Sequence, residues 1–143
     1  MAADISRTRI PWITSVTEPV AALSVGLTND VVVEVSASMT PGHVPARVIS
    51  TPSLVSIIEG ACRRAVLPHL PAGHDTVGTH VCVSHEGVAM VGQSVRVRCE
   101  LVEVDGRHLS FAVSVDGPRG AVSRGTHRRA IVDPSRFARA ESA

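Results

Sequence analysis

A chain of 143 residues with 44% hydrophobic side chains has the length and apolar content of one ordinary domain, and one domain is expected. Its formal net charge is +1 with 19% charged residues, so no broad basic field exists to hold nucleic acid or an anionic membrane surface. No run of about 18 apolar residues offers a membrane span, and the opening MAADISRTRIPW lacks the unbroken apolar core of a signal peptide; a cytoplasmic protein is expected. The three cysteines, Cys62, Cys82 and Cys99, lie inside apolar patterns without C-x-x-C spacing. They read as small buried hydrophobes rather than as a disulfide framework or zinc ligands. Trp12, Phe111 and Phe137 are the only aromatics, too few for a base-stacking platform, while abundant valine favours pleated sheet.

In chain order, residues 1–20 mix Pro11, Pro19 and polar residues without a sustained period and read as an N-terminal arm. The domain proper is expected over 21–137, with a polar C-terminal tail over 138–143 inside a stretch that opens on the breaker Asp133-Pro134. The β-branched run at 31–38 predicts a first strand. TPGHVPARVIS, residues 40–50, is a Pro- and Gly-containing connection suited to a lid beside a cleft. Residues 51–70, TPSLVSIIEGACRRAVLPHL, predict a long helix: Thr51 suits the N-cap, Pro52 the first helical position, and Pro68 stops it. Its apolar residues exceed a narrow stripe, so most of its circumference is expected to be buried. Residues 76–85 predict a strand with Thr79, Val81, Val83 and His85 on one face and His80, Cys82 and Ser84 on the other. Residues 94–104 alternate cleanly, Asp105-Gly106 signals a hairpin, Leu109, Phe111, Val113 and Val115 line the return strand, and a last strand covers 121–132.

One strand, one long helix, then four strands on short turns predict an α+β fold. A twisted, five-stranded antiparallel β-sheet wraps around one long central α-helix, the arrangement of the hot-dog fold. A sheet covers one side of such a helix, so the remaining apolar surface and the sheet edges predict a homodimer.

Within the helix, Glu59 stands between Ile57, Ile58, Gly60 and Ala61. Two readings are open: a surface pair with Arg63 four residues on, and a functional carboxylate in a cleft. Thr51 by itself reads as a cap, and His85 by itself as a histidine that ends a strand in solvent. The seven histidines show no paired ligand spacing, so no metal site is expected.

STPSLVSIIEGACRRAVLPHLPAGHDTVGTHVCVSH, ELVEVDGRHLSF and GTHRRAIV together resemble the thioesterases related to fluoroacetyl-CoA thioesterase, a hot-dog family. The resemblance covers residues 48–137. It implies a site formed or lined by Thr51 at the helix start, Glu59 in the helix, His85 late in the next strand, Gly78 before it and Arg129 in the last strand. The implied activity is hydrolysis of a small acyl-CoA thioester, with no cofactor, since coenzyme A is part of the substrate. Thr51 would be nucleophile or substrate ligand. Glu59 would orient or accept a proton from His85, or direct water. Gly78 would let the thioester approach the backbone, and Arg129 would hold a coenzyme A phosphate or a dimer contact, or serve only as a structural salt bridge.

The chemistry agrees in kind: acyl transfer needs a nucleophile or activated water, a base near neutrality, and N–H groups aimed at the developing oxyanion. Thr51 and Glu59 are separated by roughly 12 Å along a regular helix, so the two are not expected to serve one carbonyl unless the helix starts late or a dimer partner supplies one of them, and the subunit origin of each stays open. The lid of the fluoroacetyl-CoA enzyme is expected to bear phenylalanine, whereas residues 40–50 contain no aromatic, which leaves the acyl group open. A hot-dog dehydratase or hydratase, and a non-catalytic acyl-CoA or small-ligand binding protein, are the alternatives.

Overall fold

The computed structural model describes residues 23–141; the expected arm over 1–20 lies outside them. Strand β1 (Thr28–Glu34) is followed by helix α1 (Thr51–Val66) and then by β2 (Asp75–Val83), β3 (Ser94–Asp105), β4 (His108–Gly117) and β5 (Gly120–Val132). A second helix, α2 (Pro134–Glu141), closes the described chain. The strands form one sheet in the order β1-β3-β4-β5-β2, every neighbouring pair antiparallel, with β1 and β2 at the edges.

The core is the contact between α1 and the inner face of this sheet. Val95, Val97, Cys99 and Leu101 of β3 and Leu109, Phe111, Val113 and Val115 of β4 are buried, while Arg96, Arg98 and Glu100 face out. Leu54, Ile58, Ala61, Cys62, Ala65 and Val66 of α1 meet them. These positions recur at intervals of three and four residues, so in a single chain the helix buries one stripe rather than most of its circumference. Val55, Ile57, Glu59 and Gly60 remain half-buried beside that stripe.

Several expectations shift. The first strand runs three residues earlier than the β-branched text, because Asn29 and Asp30, poor strand formers, find partners there. Asn29 Nδ2 donates to the Ala61 carbonyl of α1 at 3.0 Å, and Asp30 pairs with Arg96 across to β3. Residues Ala37–Met39 form a 3-10 turn instead. The α-helix ends at Val66 and tightens into a 3-10 turn, Leu67–His69, around Pro68. The C-terminal stretch is not a plain polar tail. Asp133 Oδ1 accepts from the Ser135 backbone N–H at 3.0 Å, so the apparent breaker Asp133-Pro134 is a cap followed by a first-turn proline, and α2 follows.

Cys62 and Cys99 are buried as expected, but Cys82 is exposed, because it lies on the outward face of an edge strand. A hydrogen bond to Cys99, together with burial, pushes the Cys62 thiol well up. Arg63 takes Asp75 as its partner rather than Glu59, through two bonds of 2.8 and 2.6 Å, which removes the surface-pair reading of Glu59. The β3–β4 hairpin turns through Gly106 and Arg107, and Gly106, at φ +63°, takes the positive φ that a tight hairpin loop requires.

This packing predicts a steep contrast along α1. Ile58→Ala removes about 2–5 kcal/mol of stability, and Arg63→Ala, which breaks an exposed pair, less than about 1 kcal/mol, both read from urea denaturation midpoints.

Candidate active site

Two clusters lie along α1. The first is at its N-terminus, where three hydroxyls compete for one cap. Ser50 takes that role: its Oγ accepts from the Ser53 backbone N–H at 3.2 Å. Thr51 is therefore not the cap, and its hydroxyl is free to turn outward. Thr51 Oγ1 lies 2.8 Å from Nδ1 of His85, which follows the end of β2. Both side chains are exposed, so the pair is open to a ligand from solvent.

The residues before the helix are tied down by backbone bonds on both sides. Ser50 N–H donates to Met39 O at 2.7 Å, Ile49 N–H to Ala89 O at 2.8 Å, and Val91 N–H to Arg47 O at 2.9 Å. Between these ties residues 42–46 form an exposed bend beside the helix start, where the sequence suggested a lid.

The second cluster is two turns further along, where Glu59 faces β2 and β5. The register pairs Gly78 with Arg129 and Val81 with His127, so a bulge leaves Thr79 without an opposite residue. Strict alternation from Val81 would turn Gly78 to the outer face. The bulge brings it to the inner one, beside Glu59. A Cβ at Gly78 would collide with Glu59 Oε1 and lie 3.2 Å from His127 Cε1. Glu59 is 39% exposed, and its Oε1 is 3.9 Å from His127 Nε2.

Arg129 does not reach solvent. It is 5% exposed, with Nε donating to Thr76 Oγ1 at 2.7 Å, Nη2 to Thr76 O at 2.9 Å and Nη1 to His127 Nε2 at 3.1 Å. A guanidinium so enclosed cannot grip a coenzyme A phosphate, and among the described residues no carboxylate closes on it as a salt bridge either. Burial pulls it below its ordinary pKa, and the negative charge of Glu59 is the chief opposing influence.

The structure thus brings Thr51 to His85, and Glu59 to Gly78 and, through His127, to Arg129. Within one chain it does not bring Glu59 to His85: no hydrogen bond or ion pair joins them among the described residues. His127 is the member that sequence reasoning missed. It is fully buried and stacked on Phe111, with ring centroids 6.4 Å apart. The available signal was its place two residues before Arg129, hence on the same face of β5.

A single antiparallel sheet around one apolar helix defines a hot-dog fold, and this one carries a hydroxyl–imidazole pair at the helix start and a carboxylate two turns on. The sequence model of the family described as fluoroacetyl-CoA-specific thioesterase matches residues 28–135, and the chain belongs to that family. Fluoroacetyl-CoA thioesterase of Streptantibioticus cattleyicolor is 38% identical over 90 residues, 63% of this chain and 65% of that enzyme's length. The solved fluoroacetyl-CoA thioesterase FlK superposes with a TM-score of 0.80 at 31% identity, over 85% of this chain and 96% of its own. A variant of FlK in complex with fluoroacetate and CoA gives 0.75 at 31%, over 80% of this chain and 99% of its own. A hot-dog-like protein from Thermanaerovibrio acidaminovorans, 22% identical with a TM-score of 0.74 over 81% and 88% of the two chains, shares the fold.

Two consequences follow for stability. Burial, with Arg129 adding to it, holds His127 below the ordinary imidazole pKa of about 6.5, so the unfolded chain binds the proton more readily. Stability is then complete above about pH 6.5 and declines as pH falls through the window below it. Urea midpoints at pH 7.5 and 5.5 should differ more for the wild type than for His127→Gln, which cannot titrate. Ser50→Ala should cost about 1 kcal/mol in the same assay as the helix loses its cap.

Proposed function

We propose that the protein is an acyl-CoA thioesterase that hydrolyses a small acyl thioester at the seam of a homodimer in the cytoplasm. The observation that carries this reading is the 2.8 Å contact of Thr51 Oγ1 with His85 Nδ1, made possible because Ser50 caps the helix. With the hydroxyl hydrogen directed at Nδ1, His85 accepts that proton as Thr51 Oγ1 attacks the thioester carbonyl. It then returns the proton to the departing coenzyme A sulfur, and water afterwards releases the acyl group from Thr51.

Glu59 supplies the carboxylate that directs or deprotonates that water. A carbonyl in contact with Thr51 lies out of reach of the Glu59 on its own helix, given the roughly 12 Å between the two along the axis. The acid that serves it therefore belongs to the second protomer. Two features support a dimer: β2 leaves one edge unpaired over nine residues with Val81 exposed, and Val55 and Ile57 of α1 are only half-buried. Family membership and the 31% identity to the enzyme solved with CoA support coenzyme A as the thiol carrier. The bend at 42–46 contains no aromatic side chain, which favours acyl groups selected without an aromatic lid.

Thiol release from a panel of short acyl-CoA esters, followed with a thiol reagent, should be measurable for the wild type. His85→Ala and Glu59→Gln should each reduce kcat/KM by about a hundredfold or more. Binding without release across the panel would favour a ligand-binding module, and a new double bond or hydroxyl in the acyl group a dehydratase or hydratase.

Subunit origin has its own test. Mixing Thr51→Ala with Glu59→Gln chains yields half heterodimers, each with one of two sites intact, so about a quarter of wild-type activity should return. No recovery would mean that both residues act from one chain.

A further inference from the structure

The unused group in this molecule is the imidazole of His127, fully buried between β4, β2 and α1 and unassigned by the thioesterase reading. Its two nitrogens have partners of opposite kinds. Nδ1 lies 2.8 Å from the His80 carbonyl oxygen, which only accepts, so Nδ1 carries the hydrogen. Nε2 lies 3.1 Å from Nη1 of Arg129, which only donates, so Nε2 is a bare lone pair. The ring is therefore held as the neutral Nδ1–H tautomer. A second proton would set N–H against N–H and cation against cation.

Beyond Nε2 stands Glu59, whose Oε1 is 3.9 Å away, past hydrogen-bond reach. The imidazole thus lies between a buried guanidinium and the carboxylate that exerts the largest attraction on it. Arg129 has its Nε and Nη2 anchored on Thr76, and Nη1 would be left as an unsatisfied buried donor if His127 did not accept from it. Glu59 is the carboxylate with the strongest attraction for Arg129, and its Oε1 stands just beyond Nε2 of His127. Gly78 closes the opposite side, since any side chain there would displace the carboxylate.

Building on the thioesterase reading, we propose that His127 is a positioning residue that occupies Nη1 of Arg129 and so keeps the buried guanidinium from closing a direct ion pair with Glu59, leaving the carboxylate free to act on water. The charged and titratable groups around the ring are Glu59 on α1, His80 on β2 and Arg129 on β5. A direct pair between the buried guanidinium and Glu59 would be charge-assisted and strongly held, and it would withdraw Glu59 from proton transfer.

Two replacements separate this role from simple packing. His127→Asn keeps a donor near the His80 carbonyl but loses the acceptor for Arg129, whereas His127→Gln restores an acceptor at the reach of Nε2. With a short acyl-CoA ester, the Asn variant should lose at least about thirtyfold in kcat with KM within about threefold, and the acid limb of its kcat profile should move to lower pH. The Gln variant should recover most of that loss. Carboxyl 13C titration, with Glu59 assigned from Glu59→Gln, reads the same event without turnover: its midpoint should fall by about one pH unit in the Asn variant and return towards the wild-type value in the Gln variant.

An Asn variant that is folded, by its urea midpoint, and keeps the wild-type kcat profile and Glu59 midpoint would overturn the proposal. Equal loss in both variants with an unmoved Glu59 midpoint would do so as well. Should the wild type release no thiol from any ester, the thioesterase reading fails alone, because the carboxyl titration still decides whether His127 keeps Arg129 off Glu59.

Discussion

The architecture depends on one contact, the apolar stripe of α1 pressed into the inner face of β3 and β4. Ile58, Ala61, Cys62 and Ala65 lie against the row formed by Val97, Cys99, Phe111 and Val113, all buried in one apolar cluster. A helix anchored so deeply cannot rotate without exposing that stripe. Its flank is thereby set, and Glu59, one step off the buried line, is turned towards β2 and β5 rather than into the core or into open solvent. The position of this carboxylate is thus a by-product of hydrophobic packing at its neighbours.

Around this fixed rod the remaining polar groups are sorted by who accepts what. At the helix start a serine takes the cap, which releases the next hydroxyl for His85. At the middle of the helix the same economy operates in a dry setting. Arg129 must satisfy its donors within the protein, and Thr76 and His127 between them do so. In both places one side chain satisfies a structural bond, Ser50 at the Ser53 N–H and His127 at Nη1 of Arg129. The bulge at Thr79 belongs to this arrangement, because it turns Gly78 inward, where the absence of a side chain leaves room for Glu59.

Much of the fold was legible because it is written in short-range patterns. The alternation of residues 94–104, the Asp105-Gly106 turn and the long apolar run closed by Pro68 each state one element, and their order leaves few topologies. The errors have local causes as well. Asn29 and Asp30 extend β1 because partners on α1 and β3 satisfy them, and Asp133-Pro134 starts a helix because Ser135 supplies the N–H that an aspartate cap needs.

What the amino-acid order determined by itself was the five strands and the one long helix, their order along the chain, and the residue types gathered in motifs at Thr51, Glu59, Gly78, His85 and Arg129. Which of those residues meet was decided only in three dimensions. Parity along β2 says nothing of a bulge, a serine and a threonine side by side look like equal caps, and a histidine two residues from an arginine carries no sign that it is buried against a carboxylate from a helix nearly seventy positions earlier. Hydrogen-bond partners and burial are properties of the packed chain, since they depend on groups far apart in sequence competing for the same donors and the same space.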